Sequence, residues 1–130
     1  MPGPAGYNPI VLDHYRNPRN VGEIQGSVAT AQVGDPATGD VLKISLRIVD
    51  DRVVEARFKS FGCTAAIAVG SMATVLITGK TLPEIARMTN REVVDALGGL
   101  PDSKIGCSVL AEQAIREALR RYRQGAAGAA

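Results

Sequence analysis

The sequence predicts an α+β fold, a small antiparallel sheet of about three strands with helices packed on one face. Two stretches carry that expectation. Leu42, Ile44, Leu46 and Ile48 alternate with Lys43, Ser45 and Arg47, and beyond an Asp50-Asp51 turn Val54, Ala56, Phe58 and Ser60 alternate with Glu55, Arg57 and Lys59. This is the period-2 pattern of a hairpin with one wet face. From Cys63 to about Thr78 the chain is then small and apolar nearly all round, as in a largely buried helix, and Gly79 stops it.

The other elements follow in chain order. Asn8 and Pro9 suit the cap and first position of a short amphipathic helix carrying Ile10, Val11, His14 and Tyr15, which Asn17-Pro18 ends. Residues Val28 to Val33 read as a strand, and Gly34-Asp35-Pro36-Ala37-Thr38-Gly39-Asp40 as a tight loop of turn formers. Thr81-Leu82-Pro83-Glu84 has capping-box spacing and opens a short helix, while Asn90 suits the cap of another that ends at Gly98-Gly99. Leu100-Pro101-Asp102-Ser103-Lys104 reads as a loop. A last helix starts near Cys107 or Ser108 and carries Leu110, Ala114, Ala118 and Tyr122.

The 130 residues suit one domain, residues 1–124, with 125–130 as a disordered C-terminal tail. A net charge of +2 without runs of one sign gives no reason to expect a nucleic-acid partner. The densest basic cluster, Arg120, Arg121 and Arg123, suits the end of a helix. No apolar stretch has membrane-spanning length and Met-Pro-Gly-Pro lacks the parts of a signal peptide, so the expected location is cytoplasmic, with no membrane partner.

Both cysteines fall where a loop or strand gives way to a helix, at Gly62-Cys63 and Gly106-Cys107. Unpaired N–H groups at a helix start favour thiolate over thiol and stabilise an anionic sulfur ligand, and Lys104 adds a nearby positive charge for Cys107. The alternative is that both are small buried hydrophobes. Their separation of 44 positions matches no zinc signature, so spacing leaves the choice open. His14, on the inner side of its helix, reads as a hydrogen-bonded packing residue and is assigned no role.

Four segments bring in a resemblance. Val11 to Gly22, with Asp13-His14-Tyr15-Arg16-Asn17-Pro18-Arg19-Asn20 at its centre, is similar to the N-terminal signature of IscU/NifU-type iron–sulfur cluster scaffolds. Gly34 to Asp40, Phe61-Gly62-Cys63-Thr64-Ala65-Ala66-Ile67-Ala68 and Cys107-Ser108-Val109-Leu110-Ala111-Glu112 resemble the family's three ligand-bearing segments, in order. The compact stretch between Cys63 and Cys107 looks like the IscU/NifU branch rather than the SufU-type branch. The resemblance covers nearly the whole chain and implies the same three-stranded fold.

It also implies a function. Such scaffolds take sulfur from a cysteine desulfurase, assemble a transient [2Fe–2S] cluster on three cysteines beside an aspartate, and pass it to apo iron–sulfur acceptor proteins. They are platforms rather than enzymes, and soft thiolates in a partly exposed site suit a labile cluster. Carried over by position, Cys63 and Cys107 are cluster and metal ligands, and Asp40 matches the aspartate of the family's Cys-Gly-Asp loop; as a residue alone it also reads as an ordinary turn former.

The chain departs from the pattern in three places, at Thr38, at Gly106 and in the loop Leu100 to Lys104. Thr38 stands where the family has its first cysteine, and a neutral hydroxyl that stays protonated is a poor ligand for iron or zinc. Gly106 stands where a histidine usually precedes the last cysteine. Leu100, Pro101 and Lys104 resemble the loop that an Hsp70-type chaperone recognises, with the two middle residues changed, so that contact is expected to be weakened; the segment also reads as a plain Pro-containing connector. Three readings follow: a working scaffold, completed by an external thiol or as a homo-oligomer with two cysteines per chain; a degenerate paralogue that binds a desulfurase or other partner without building a cluster; and a mononuclear iron or zinc carrier.

Overall fold

The protein is described by a computed structural model covering residues 7–26, 29–37 and 39–129, with side chains to residue 124. Helix α1 (Pro9–Arg16) starts as expected, because the Asn8 side chain accepts the Ile10 and Val11 N–H groups and Pro9 needs no hydrogen bond in the first turn. Its buried side is Val11, Leu12 and His14, while Ile10 and Tyr15 face outward.

Strands β1 (Ala29–Gly34), β2 (Val41–Val49) and β3 (Arg52–Phe61) form an antiparallel sheet in that order. Val28, expected to begin β1, lies outside the described residues. Ile44 at the centre pairs with Ala31 on one side and Phe58 on the other. Asp50 and Asp51 both have positive φ, 52° and 59°, so a two-residue turn with the twist of the strands closes the β2–β3 hairpin.

Part of β3 runs in the opposite phase to that expected. The register shifts between Arg47 and Ile48, so that Ile48 pairs with Val53 and Arg47 with Glu55, leaving Val54 as the bulged residue. Val53 is fully buried and Val54 is 47% exposed, the reverse of the expected order. Two adjacent valines satisfy either phase, so alternation cannot reveal the bulge.

Helix α2 (Thr64–Ile77) lies against β3, and the long α5 (Ile105–Ala129) crosses β1 and β2, so helices cover one face of the sheet. Their close approach rests on small residues, with Ala65, Ala68, Ala73, Ala111, Ala114 and Ala118 all buried around Phe58, Ile44 and Leu46. At Gly70 an added Cβ would stand 2.5 Å from the Phe58 ring. The other face is not uniformly wet. Ser45 is buried because residues 22–26 pass over it, forming a shallow cavity with Lys43 and Lys59.

Helix α3 (Leu82–Ala86) opens with the expected capping box, the Thr81 hydroxyl accepting the Glu84 N–H and the Glu84 carboxylate accepting the Thr81 N–H. Helix α4 (Asn90–Ala96) is capped by Thr89, one residue before the expected Asn90. Asn90 instead turns its amide to the Ser108 hydroxyl and donates its N–H to Glu112, tying α4 to α5. Residues Asp102–Lys104, expected as loop, make a 3-10 turn that runs directly into α5 at Ile105, two residues early, which places Cys107 inside the first turn. The backbone of α5 continues through residues 125–129 of the expected tail. Among the described residues no helix is long and apolar enough to cross a membrane.

Candidate metal centre

The loop between β1 and β2 is built to fix one carboxylate. Asp35 donates its N–H to the Asp40 carbonyl and accepts the Gly39 N–H on its own carbonyl, both at 2.8 Å, while its carboxylate accepts the Ala37 N–H. Gly39 has φ +79°, a left-handed conformation that glycine adopts without strain. The chain therefore turns sharply and delivers Asp40, 7% exposed, just before β2 begins.

Asp40 meets Cys63 and Cys107 there. Cys63 is the N-cap of α2, and its backbone N–H donates to Asp40 Oδ1 at 3.2 Å. The Cys107 thiol donates to Asp40 Oδ2 at 3.7 Å, and the two sulfurs are 3.8 Å apart. One ligand atom from each of the three residues lies within 4.8 Å of the others, the spacing of groups that share one ion. Two sulfurs and a carboxylate suit thiophilic iron or zinc better than magnesium or calcium. All three residues singled out in the sequence thus converge; Thr38 lies outside the described residues.

Protonation separates the two expected influences on Cys107. The sequence left two readings open, a thiolate favoured by the helix start and by Lys104, and a small buried hydrophobe. In the structure burial dominates: with Cys63 and Asp40 adding negative charge beside it, the Cys107 thiol is pushed up to about 12. Without a cation it stays protonated at neutral pH, and a bound cation must displace that proton.

Two further residues shape the site and were not legible as functional. Gly62 lies against Asp40, where a Cβ would stand 2.1 Å from Oδ1, so only glycine lets the carboxylate approach. Tyr7 is buried beside the cysteines. Burial and then Cys63 raise its hydroxyl above the ordinary tyrosine value, while Lys104 and a backbone hydrogen bond from Ala65 pull the other way. A hydrogen-bonded aromatic ahead of α1 carries no local signal of this contact.

Lys104 lies near the centre, sharing with Asp40 and Cys107 a cavity of about 40 Å³. Leu100 and Pro101 sit half-buried just before it. His14 is a packing residue, its Nδ1 2.7 Å from the Ser71 hydroxyl. Arg120 and Arg121 pair with Glu117, whose carboxyl they hold down to about 2.

The chain and its fold are similar to known proteins. The model of the NifU-like N terminal domain matches residues 6–128. The iron–sulfur cluster assembly scaffold protein IscU 1 of Archaeoglobus fulgidus is 45% identical over 116 residues, covering 89% of this chain and 76% of that protein. The IscU scaffold of Azotobacter vinelandii is 44% identical over 121 residues, covering 90% and 94%. The fold matches the N-terminal NifU-like protein of Brucella abortus, with a TM-score of 0.72 at 18% identity over 90% of this chain and 94% of that one. It also matches the putative SUF-system scaffold of Fervidobacterium islandicum, at 0.74 and 18% over 87% and 96%. With a family model spanning nearly its whole length and relatives at this identity, the chain belongs to the NifU-like N-terminal domain family.

Proposed function

We propose that this chain is an iron–sulfur cluster assembly scaffold whose cargo is held by Cys63, Cys107 and Asp40. The observation that carries the reading is the convergence of these three ligand atoms within 4.8 Å, in a chain whose relatives are named as IscU scaffolds. Two thiolates supply soft donors to iron, and the carboxylate supplies an exchangeable hard one. Cys63 is half-buried, and its neighbour Phe61 is 71% exposed, so the mouth of the site is open to an approaching protein.

The finer expectations belong to the same proposal. The cargo is a transient [2Fe–2S] cluster, its sulfur delivered by a cysteine desulfurase and its destination apo iron–sulfur acceptors; the protein acts as carrier rather than enzyme, in the cytoplasm. An Hsp70-type chaperone meets the half-buried Leu100-Pro101 and Lys104 segment, weakened by the altered middle residues. The test is anaerobic loading with ferrous iron and sulfide, with counts of iron and labile sulfide, beside Thr38→Cys. Matched counts and a charge-transfer spectrum in the unmodified protein support the scaffold. Uptake only by Thr38→Cys assigns it instead to partner binding without cluster assembly, and one metal per chain without sulfide to a mononuclear carrier.

A further inference from the structure

Among the described residues Asp40, Cys63 and Cys107 give a metal three ligand atoms, whereas ions bound by thiolates usually take four. The space beside them opens at Gly106. A Cβ built there meets nothing within 4 Å, although the next residue, Cys107, is only 8% exposed. Gly106 lies in the walls of two cavities. The inner one, about 40 Å³, reaches Asp40 and Cys107 and is flanked by Lys104 and Asp35. The outer one, about 380 Å³, is bounded by Pro36, Val109 and Gln113. Asp35, Gly106 and Leu110 line both, so the two spaces adjoin.

The dimensions and charges select a ligand. The inner space holds little more than two water-sized groups, enough for a sulfur atom and the carbon that bears it. Lys104 offers a positive charge and Asp35 a negative one at its edge, while the larger outer space has both apolar and amide walls. We propose that a small zwitterionic thiol of the cysteine class enters past Gly106 and supplies the fourth ligand to a metal held by Asp40, Cys63 and Cys107. Its carboxylate meets Lys104 and its ammonium meets Asp35. The thiol gives its proton to solvent as the sulfur–metal bond replaces a bound water, and no electrons change hands. This inference rests on the metal-binding reading of the site.

The test uses the full chain loaded anaerobically with Co(II), whose thiolate charge-transfer absorption reports sulfur ligands. Adding L-cysteine is expected to raise that absorption by about half, as two thiolates become three; L-serine leaves it unchanged. Gly106→Leu, which fills the passage, is expected to abolish the rise. Lys104→Glu, which adds no bulk to the passage, is expected to demand roughly tenfold more cysteine. Failure to bind Co(II) at all overturns the metal-binding reading beneath the proposal. A Co(II) spectrum indifferent to cysteine, or metal stripped by it, overturns the proposal alone. So does a rise that persists in Gly106→Leu or keeps its midpoint in Lys104→Glu.

Discussion

Asp40 Oδ1 occupies the space that a side chain on Gly62 would need, since a Cβ there would stand 2.1 Å from it. The same oxygen accepts the N–H of Cys63, so the glycine, the carboxylate and the cysteine are held as one unit.

Gly62→Ala is therefore expected to displace the Asp40 carboxylate while leaving both cysteines in place. Affinity for Zn(II) or Co(II) should fall about 10–100-fold, the usual effect of disturbing a ligand's support. Competition titration against a chromophoric chelator measures it, and Asp40→Ala should show a loss of similar size. Wild-type affinity in Gly62→Ala would exclude Asp40 as a ligand.

Cys107 makes the metal-free protein sensitive to alkali. Its thiol is pushed up to about 12 in the fold, while in the unfolded chain it titrates near 8.5. Below the unfolded value both states hold the proton and the fold carries no penalty. As pH rises above that value only the unfolded chain releases the proton, so stability declines up to about 12. Denaturant midpoints in this range should fall more steeply for the unmodified protein than for Cys107→Ser. Ultraviolet thiolate absorbance should show one thiol titrating late.

Burial lowers the pKa of His14, and the charge of Arg19 adds to that effect. The neutral ring is thus the folded form. Stability is complete above the unfolded value near 6.5 and is lost as pH falls through the lower folded one. Urea midpoints should decline on acidification, and His14→Gln should flatten the decline. Ser71→Ala should cost about 1–3 kcal/mol, because the serine hydroxyl meets the His14 ring and also accepts the Arg19 N–H.

Gly70→Ala tests the contact between α2 and β3. Better helix propensity contributes about 1 kcal/mol, but forcing a methyl to 2.5 Å from the Phe58 ring costs about 1–3 kcal/mol or more. A net loss is expected in equilibrium unfolding. Phe58→Leu should relieve the clash, so the double variant should be more stable than the two separate losses predict.

The hairpin, the buried α2 and the caps at Asn8 and Thr81 were legible because each is encoded within a few neighbouring residues. The bulge at Val54 was not, since Val53 and Val54 are equally apolar and only pairing with Ile48 chooses between them. The same limit governed the site. Nothing in a gap of 44 positions shows that Cys63 and Cys107 put their sulfurs 3.8 Å apart; that follows from how α2 and α5 pack across the sheet. Asp40, Cys63 and Cys107 came from the family resemblance. Gly62 and Tyr7 act through close approach to distant parts of the chain and carry no local pattern. The protonated state of Cys107 was left open for a related reason, because the helix start and the lysine are displayed in the sequence while the burial that outweighs them is not.

The stretch around Val21 has a use of its own. Gly22 donates to the Phe58 carbonyl and Asn20 accepts the Phe58 N–H, so the outer rim of β3 is already hydrogen-bonded at its middle. An open rim is a template on which a second chain can add a strand and start an aggregate. Here the segment after α1 takes that position first, protecting the strand that leads to Cys63 from intermolecular pairing while the ligand-bearing end of the molecule stays accessible.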